Sequence, residues 1–161
     1  MRRILAVFAL MAIMVSCDND FVFHEYKEVP GKWNKDSTIV FKVNPPDTIN
    51  PYNLFITLRN DHEYAFNNLF LITSMQFPHG RTITDTLEYA MANPDGSFLG
   101  EGSGDIKENK LWYKQDVVFD ENGTYVFKVR HAMRVNGDID PLQELGGIRD
   151  VGLRIEKIKQ E

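Results

Sequence analysis

A single cysteine, Cys17, stands in a chain of 161 residues, so no intramolecular disulfide can form and stability must come from packing. Histidine is scarce too. His24, His62, His79 and His131 stand apart, without the His-Glu-x-x-His spacing of a zinc helix, which argues against a metal centre. No Gly-x-Ser-x-Gly turn presents a serine for nucleophilic attack. Positive charge is in deficit, with 18 Lys and Arg against 23 Asp and Glu. No basic cluster or basic amphipathic stretch offsets this, so nucleic acid and anionic headgroups are poor partners. Long apolar runs are limited to Ile4 to Val15, twelve residues without charge, proline or glycine. A helix crossing the hydrocarbon needs about 20.

That run follows Met1-Arg2-Arg3, a short basic head, and the two together form a signal-peptide pattern. At its end, Met14-Val15-Ser16-Cys17 resembles a lipobox, with Met14 where leucine is usual. The resemblance implies that the Cys17 sulfur receives diacylglycerol, that the chain is cut before it, and that the new amine is acylated, typically with palmitate. Two or three acyl chains make anchoring effectively permanent, since each buried CH₂ adds about 0.8 kcal/mol. The expected organisation is a signal peptide over residues 1–16, a lipidated N-terminus and stem over 17–35, and one domain over 36–161. The first few residues after Cys17 are expected to be a flexible stem. Losing Arg2 and Arg3 leaves 16 basic against 23 acidic side chains, a formal charge of −7. The membrane is thus to be held through lipid on Cys17, not through charge.

Beyond residue 36 the chain alternates as half-buried strands do. Ile39, Phe41 and Val43 share one face, and Asn44-Pro45-Pro46-Asp47 stops the strand. Leu54, Ile56 and Leu58 oppose Phe55, Thr57 and Arg59 over 52–60; a further run over 69–77 ends at Pro78-His79-Gly80, and a hairpin between these two is expected. Strands follow over 83–91, 111–119, 123–133 and 148–158, with Asn122-Gly123 a hairpin signal between the second and third of these. The final strand, with Val151, Leu153 and Ile155 on one face, is expected to be central or well paired. One short helix is expected at Asp140 to Gly146, where Asp140 caps, Pro141 takes the first position and Gln143 completes a capping box. The fold class is therefore all-β, a two-sheet antiparallel β-sandwich. A jelly roll is preferred to an immunoglobulin-like topology, because the 92–110 connection is long enough to cross between sheets and the Cys-Trp-Cys signature is missing.

Chemistry is thinly marked. Asp116 with Asp120, and Asp138 with Asp140, are carboxylate pairs of a type used for calcium or glycan cleavage, but neither forms an Asp-x-Asp-x-Asp-Gly ladder. Leu99-Gly100-Glu101-Gly102-Ser103-Gly104-Asp105 carries Gly-x-Gly-x-Gly without the strand-to-helix setting of a phosphate loop, and reads as a flexible crossover. Trp33, Trp112 and Tyr113 are candidates for a stacking platform, although most of the two tryptophans, six tyrosines and eleven phenylalanines must fill a core. No catalytic, metal or cofactor site is expected, and the residues identify no small-molecule ligand.

Cys17 with Phe21 to Tyr26, the Trp33 region, Leu99 to Asp105, and Gly147-Ile148-Arg149-Asp150-Val151-Gly152-Leu153-Arg154-Ile155-Glu156 together resemble the gliding-motility lipoprotein GldH family. The resemblance runs through the whole mature chain and supplies no active-site residues. It implies an outer-membrane lipoprotein of Bacteroidota, a non-enzymatic component of the gliding machinery and the linked type IX secretion system, with other envelope proteins as partners. Asp18-Asn19-Asp20-Phe21 also looks like a lipoprotein export signal of that phylum, and periplasmic and surface-facing orientations both stay open. The alternative reading is a surface glycan-binding lipoprotein. Cys17→Ala is expected to abolish incorporation of labelled palmitate and to leave the chain uncut at residue 16, as read by the mass of the N-terminal peptide.

Overall fold

The computed structural model describes residues 20–135 and 137–158; the expected signal peptide and Cys17 lie outside them. Among the described residues there are ten strands and no helix: β1 (Phe21–Glu28), β2 (Trp33–Asn34), β3 (Ile39–Val43), β4 (Pro51–Asn60), β5 (Asn68–Gln76), β6 (Thr82–Ala90), β7 (Lys107–Val118), β8 (Tyr125–His131), β9 (Glu144–Leu145) and β10 (Ile148–Lys157). The long strands form two four-stranded antiparallel sheets, the first in the order β1-β10-β4-β7 and the second in the order β3-β8-β5-β6. The all-β sandwich read from the sequence is the fold of the chain.

Alternation explains the layers. In β4, Leu54, Ile56 and Leu58 are fully buried, and they meet Phe41, Leu69, Leu71, Phe127 and Val129 of the second sheet in one core. Val151, Leu153 and Ile155 of β10 join them, and β10 lies inside the first sheet between β1 and β4, as expected of a well-paired strand. Across the open side, the Tyr113 hydroxyl lies 3.3 Å from Asp85, Lys114 lies 2.9 Å from the same carboxylate, and the Tyr89 hydroxyl donates to the Trp112 carbonyl at 2.5 Å. These contacts tie edge strand β7 to edge strand β6 of the other layer.

Several local expectations give way to pairing. The helix expected over residues 140–146 is not formed: Pro141 bridges to Arg134, the Leu142 amide donates to the Met133 carbonyl at 2.8 Å, and Glu144–Leu145 pairs with Trp33–Asn34. A turn or two of helix costs nucleation entropy, whereas extended backbone here buries Leu145 completely. The expected hairpins also differ. β4 and β5 fall in different sheets, as do β7 and β8, so Asn122-Gly123 carries the chain between layers; the local hairpin is β5–β6, closed at Pro78-His79-Gly80. A turn signal fixes the chain's direction and leaves its partner to the core. The 91–106 connection crosses between sheets as expected, yet it is pinned rather than loose, with reciprocal backbone bonds of 2.8 Å between Glu101 and Glu108. Within the stretch expected to be stem, Phe21–Glu28 is a sheet strand and Trp33 is buried.

Two glycines of the 147–156 run set how closely the chain packs. Gly147 has a φ of +79°, and a Cβ there would lie 2.1 Å from the Tyr64 amide nitrogen. A Cβ on Gly152 would lie 2.3 Å from Thr57 Oγ1 and 2.9 Å from the Glu25 carbonyl. Gly152→Val is therefore expected to destabilise by about 1–3 kcal/mol or more, seen as a lower urea midpoint. Gly146→Ala, which points into open space, should stay within about 0.5 kcal/mol.

Candidate functional site

The outer face of the first sheet is an organised surface of paired charges and rings. Register sets it out in rows across β1, β10, β4 and β7: His24, Arg154, Phe55 and Trp112 in one, Tyr26, Gly152, Thr57 and Lys110 in the next, and Glu28, Asp150, Arg59 and Glu108 in a third. These are the positions that alternation turns away from the core. Each cation lies over a ring: Arg59 is 4.1 Å from the Tyr26 centroid, Lys110 is 4.1 Å from Phe55 and Arg154 is 4.9 Å from Phe21. Each is also tied to a carboxylate, Arg59 to Glu108 at 3.0 Å, Lys110 to Glu156 at 2.7 Å and Arg154 to Glu156 at 2.5 Å. Trp112 packs on Phe55 with ring centroids 4.4 Å apart and keeps 55% of its surface exposed.

Electrostatics follow from this crowding. Burial pushes the Glu108 carboxyl up, but the hydrogen bond and charge of Arg59 and the nearby Tyr26 hydroxyl outweigh it and hold the group below the usual carboxylate range. Glu156 is held low in the same way by Lys110 and Arg154. Burial lowers the His24 imidazole and the Arg154 charge adds to this, so the ring is neutral at pH 7. It sits between Phe21 and Tyr26, at 5.5 and 4.9 Å. The face thus combines fixed rings with paired charges. Such a surface can stack on and ion-pair with a flat partner. Where it passes the edge strand β7 it opens into a cleft of about 950 Å³ beneath the 99–106 loop, lined by Arg59, Glu108, Lys110 and Arg154 with Leu99 and Ile106.

The residues singled out in the sequence are scattered. Trp33 is buried and stacks edge-on against His131 at 5.4 Å, Tyr113 points inward, and Trp112 points outward, so the three form no platform. Asp120 pairs with Arg81 at 3.4 Å, and the Asp116 amide donates to Asn53 at 3.3 Å. His79 meets Glu121 at 2.9 Å on an exposed loop. Among the described residues no group of three or more His, Cys, Asp or Glu side chains is placed to hold a metal. Sequence reasoning did not assemble Phe21, His24, Tyr26, Lys110 and Arg154; their common signal is an aromatic or charged side chain at each outward position of long strands.

The fold and this face define a class: a small two-sheet β-sandwich whose ordered exterior is a sheet surface of stacked rings and paired charges. Residues 21–155 match the GldH lipoprotein family. The chain is 49% identical over 160 residues to the gliding motility lipoprotein GldH homolog of Christiangramia forsetii, covering 98% of each. It is 49% identical over 152 residues to the gliding motility lipoprotein GldH of Flavobacterium johnsoniae, covering 94% of each. The chain belongs to the GldH lipoprotein family. Among solved structures it is similar to a D431N mutant VP2 protein of infectious bursal disease virus, with 14% identity and a TM-score of 0.31 over 84% of this chain and 33% of that one. The Gx strain of the same virus gives 13% identity and a TM-score of 0.34 over 88% and 35%. The chain thus spans about a third of those viral chains.

His131 supplies a test of the packing around Trp33. Burial lowers its imidazole, outweighing the opposing effects of the Trp33 backbone and Glu144, while Arg130 and Lys35 push the same way as burial. The folded ring therefore takes up a proton less readily than the unfolded one, whose value is about 6.5. The stability it contributes is full above that value and is lost as pH falls below it. The urea midpoint is expected to drop between about pH 7.5 and about pH 5.5, and His131→Phe should shrink that drop. An equal drop in the variant would place the acid sensitivity elsewhere.

Proposed function

We propose that this chain is a lipid-anchored, non-enzymatic component of the gliding machinery and its associated type IX secretion system, held in the outer membrane through acyl chains on Cys17. The observation that carries the reading is similarity over nearly the whole chain to two proteins named as gliding motility lipoproteins. In this reading the Cys17 lipid fixes the protein to the envelope, and the outer face of the first sheet, with Trp112, Phe55, Arg59, Lys110 and Arg154, meets another envelope protein. Fixed rings with paired charges suit that task, because little side-chain entropy remains to be lost on contact. The nested pairing of strands, first with last (β1 with β10), β3 with β8, β4 with β7 and β5 with β6, supports a jelly-roll topology for the scaffold.

The test compares secreted and surface proteins, and colony spreading, in cells lacking the gene and in cells complemented with wild type or Cys17→Ala. Deletion is expected to reduce many secreted proteins and to stop spreading, with rescue by the wild type alone. An unchanged secretome with intact motility would overturn the assignment and favour the glycan-binding alternative, to be sought on glycan arrays with Trp112→Ala as the control.

A further inference from the structure

Strand geometry fixes which end of the sandwich lies beside the lipid. β1 enters the sheet at Phe21, only four residue steps from Cys17. Four steps of extended chain reach at most about 14 Å. Phe21 pairs with Glu156, Lys157 with Tyr52, and Pro51 with Val118, so the start of β1, the end of β10, the start of β4 and the end of β7 share one end of the first sheet. In the second sheet the same end holds Val43 opposite Tyr125 and Gln76 opposite both Thr82 and Val126.

The loops at this end are tied into a single rim. Thr124 donates to Asn44 at 2.7 Å, the His79 amide donates to Glu121 at 2.9 Å, and the Lys157 amide donates to the Asp20 carbonyl at 3.1 Å. On this rim sits Ile49, 81% exposed, with Val118 at 41% nearby. Ile49 is not on a loose loop. The Asp47 carboxylate accepts the Ile49 amide at 2.9 Å, the Asn50 amide at 2.7 Å and the Tyr52 hydroxyl at 2.6 Å, which holds the isoleucine side chain out at the tip.

The geometry points to this rim as a membrane-apposed surface: the 44–50 loop, with Ile49 at its tip, and Val118 rest in the headgroup layer of the bilayer that carries the anchor. The inference rests on lipidation of Cys17. Charge does not drive the contact, because the rim carries Asp47, Asp116, Asp120 and Glu121 against Arg81 and Lys157. The short tether and the apolar tip do. The opposite end, with the 91–106 and 132–143 loops, then faces away from the membrane.

The test uses the full-length acylated protein in phosphatidylcholine vesicles containing a nitroxide-headgroup lipid. An environment-sensitive fluorophore is attached through Ile49→Cys or, at the other end, through Ile139→Cys, where the native side chain is 88% exposed. Quenching at 49 is expected to exceed that at 139 by about twofold or more, since such contacts reach roughly 5–10 Å into the interface. A Gly/Ser linker of about 20 residues inserted after Asp18, whose coil dimension is roughly 25 Å, should bring quenching at 49 down to the level at 139. Added anionic lipid should weaken the contact. Vesicle flotation and the mass of the acylated N-terminal peptide report lipidation separately. A chain that floats with equal quenching at 49 and 139 overturns the orientation alone, and a chain that carries no acyl group overturns it together with the anchoring it rests on.

Discussion

The pairing of β10 with β1 on one side and β4 on the other is the contact on which the rest of the sandwich depends. Every residue of β1 that pairs does so with β10, so the N-terminal strand has no place in the sheet until the C-terminal strand has docked on β4. Such contacts join residues far apart in the chain, more than a hundred positions for every β1–β10 pair, and chains dominated by non-local pairing fold slowly because loop entropy is lost before contacts form. Gly147 and Gly152 mark where this docking is tightest. At the first, the Tyr64 backbone lies where a side chain would begin, and at the second, Thr57 and the β1 backbone close in from both sides. The Gly-Ile-Arg-Asp-Val-Gly stretch at 147–152 thus has a structural meaning: Ile148 and Val151 fill the core, Arg149 pairs with the buried Asp61, and the glycines let neighbouring backbone approach.

The charged face built on that sheet is ordered by sharing rather than by strong individual bonds. A surface ion pair is worth about 0–1 kcal/mol and an exposed cation–π contact about 0.5–1 kcal/mol. Arg59, however, meets the Tyr26 ring, Glu108 and, at 3.9 Å, Asp150 at once, and Glu156 receives both Lys110 and Arg154. One rotamer of each long side chain serves several contacts, so the entropy of fixing it is lost once. Phe55 and Thr57 are buried beneath this layer although they lie outside the sandwich core. The layer therefore acts as a thin second packing surface, and a partner meets a shape already formed.

Much of the fold was legible in the sequence because period-two alternation reports directly which side of a strand faces the core. Leu54, Ile56 and Leu58, or Val151, Leu153 and Ile155, needed no tertiary information to be placed together. What alternation cannot report is which strand lies next to which. Asn122-Gly123 is a good turn, but Tyr125 and Phe127 find their burial partners in the other layer, so the turn bridges sheets. Asp140-Pro141 is a good helix start, but the Trp33–Leu145 pairing gains more than a single helical turn can. The candidate face was legible only in fragments, as Phe55 and Arg59 opposite the core positions of β4. Its assembly depends on β1 and β7 flanking β10 and β4, and that order is written in no local stretch of the chain.

The same strand order relates the face to the membrane. With the Ile49 end at the headgroups, β4 runs away from the bilayer from Pro51, and at about 3.3–3.4 Å per residue the Phe55–Trp112 row stands roughly 13 Å above the strand's start and the Arg59–Glu108 row roughly 27 Å. The face is then a wall rather than a roof. A partner anchored in the same membrane meets it edge to edge along its full height, whereas one arriving from the aqueous side meets the far-end loops and the cleft beneath the 99–106 loop first. A short tether, by fixing this upright posture, would turn an ordinary sheet face into a directional one: lateral contacts within the membrane plane read the rings and charges, and the sandwich needs no binding cleft to be selective.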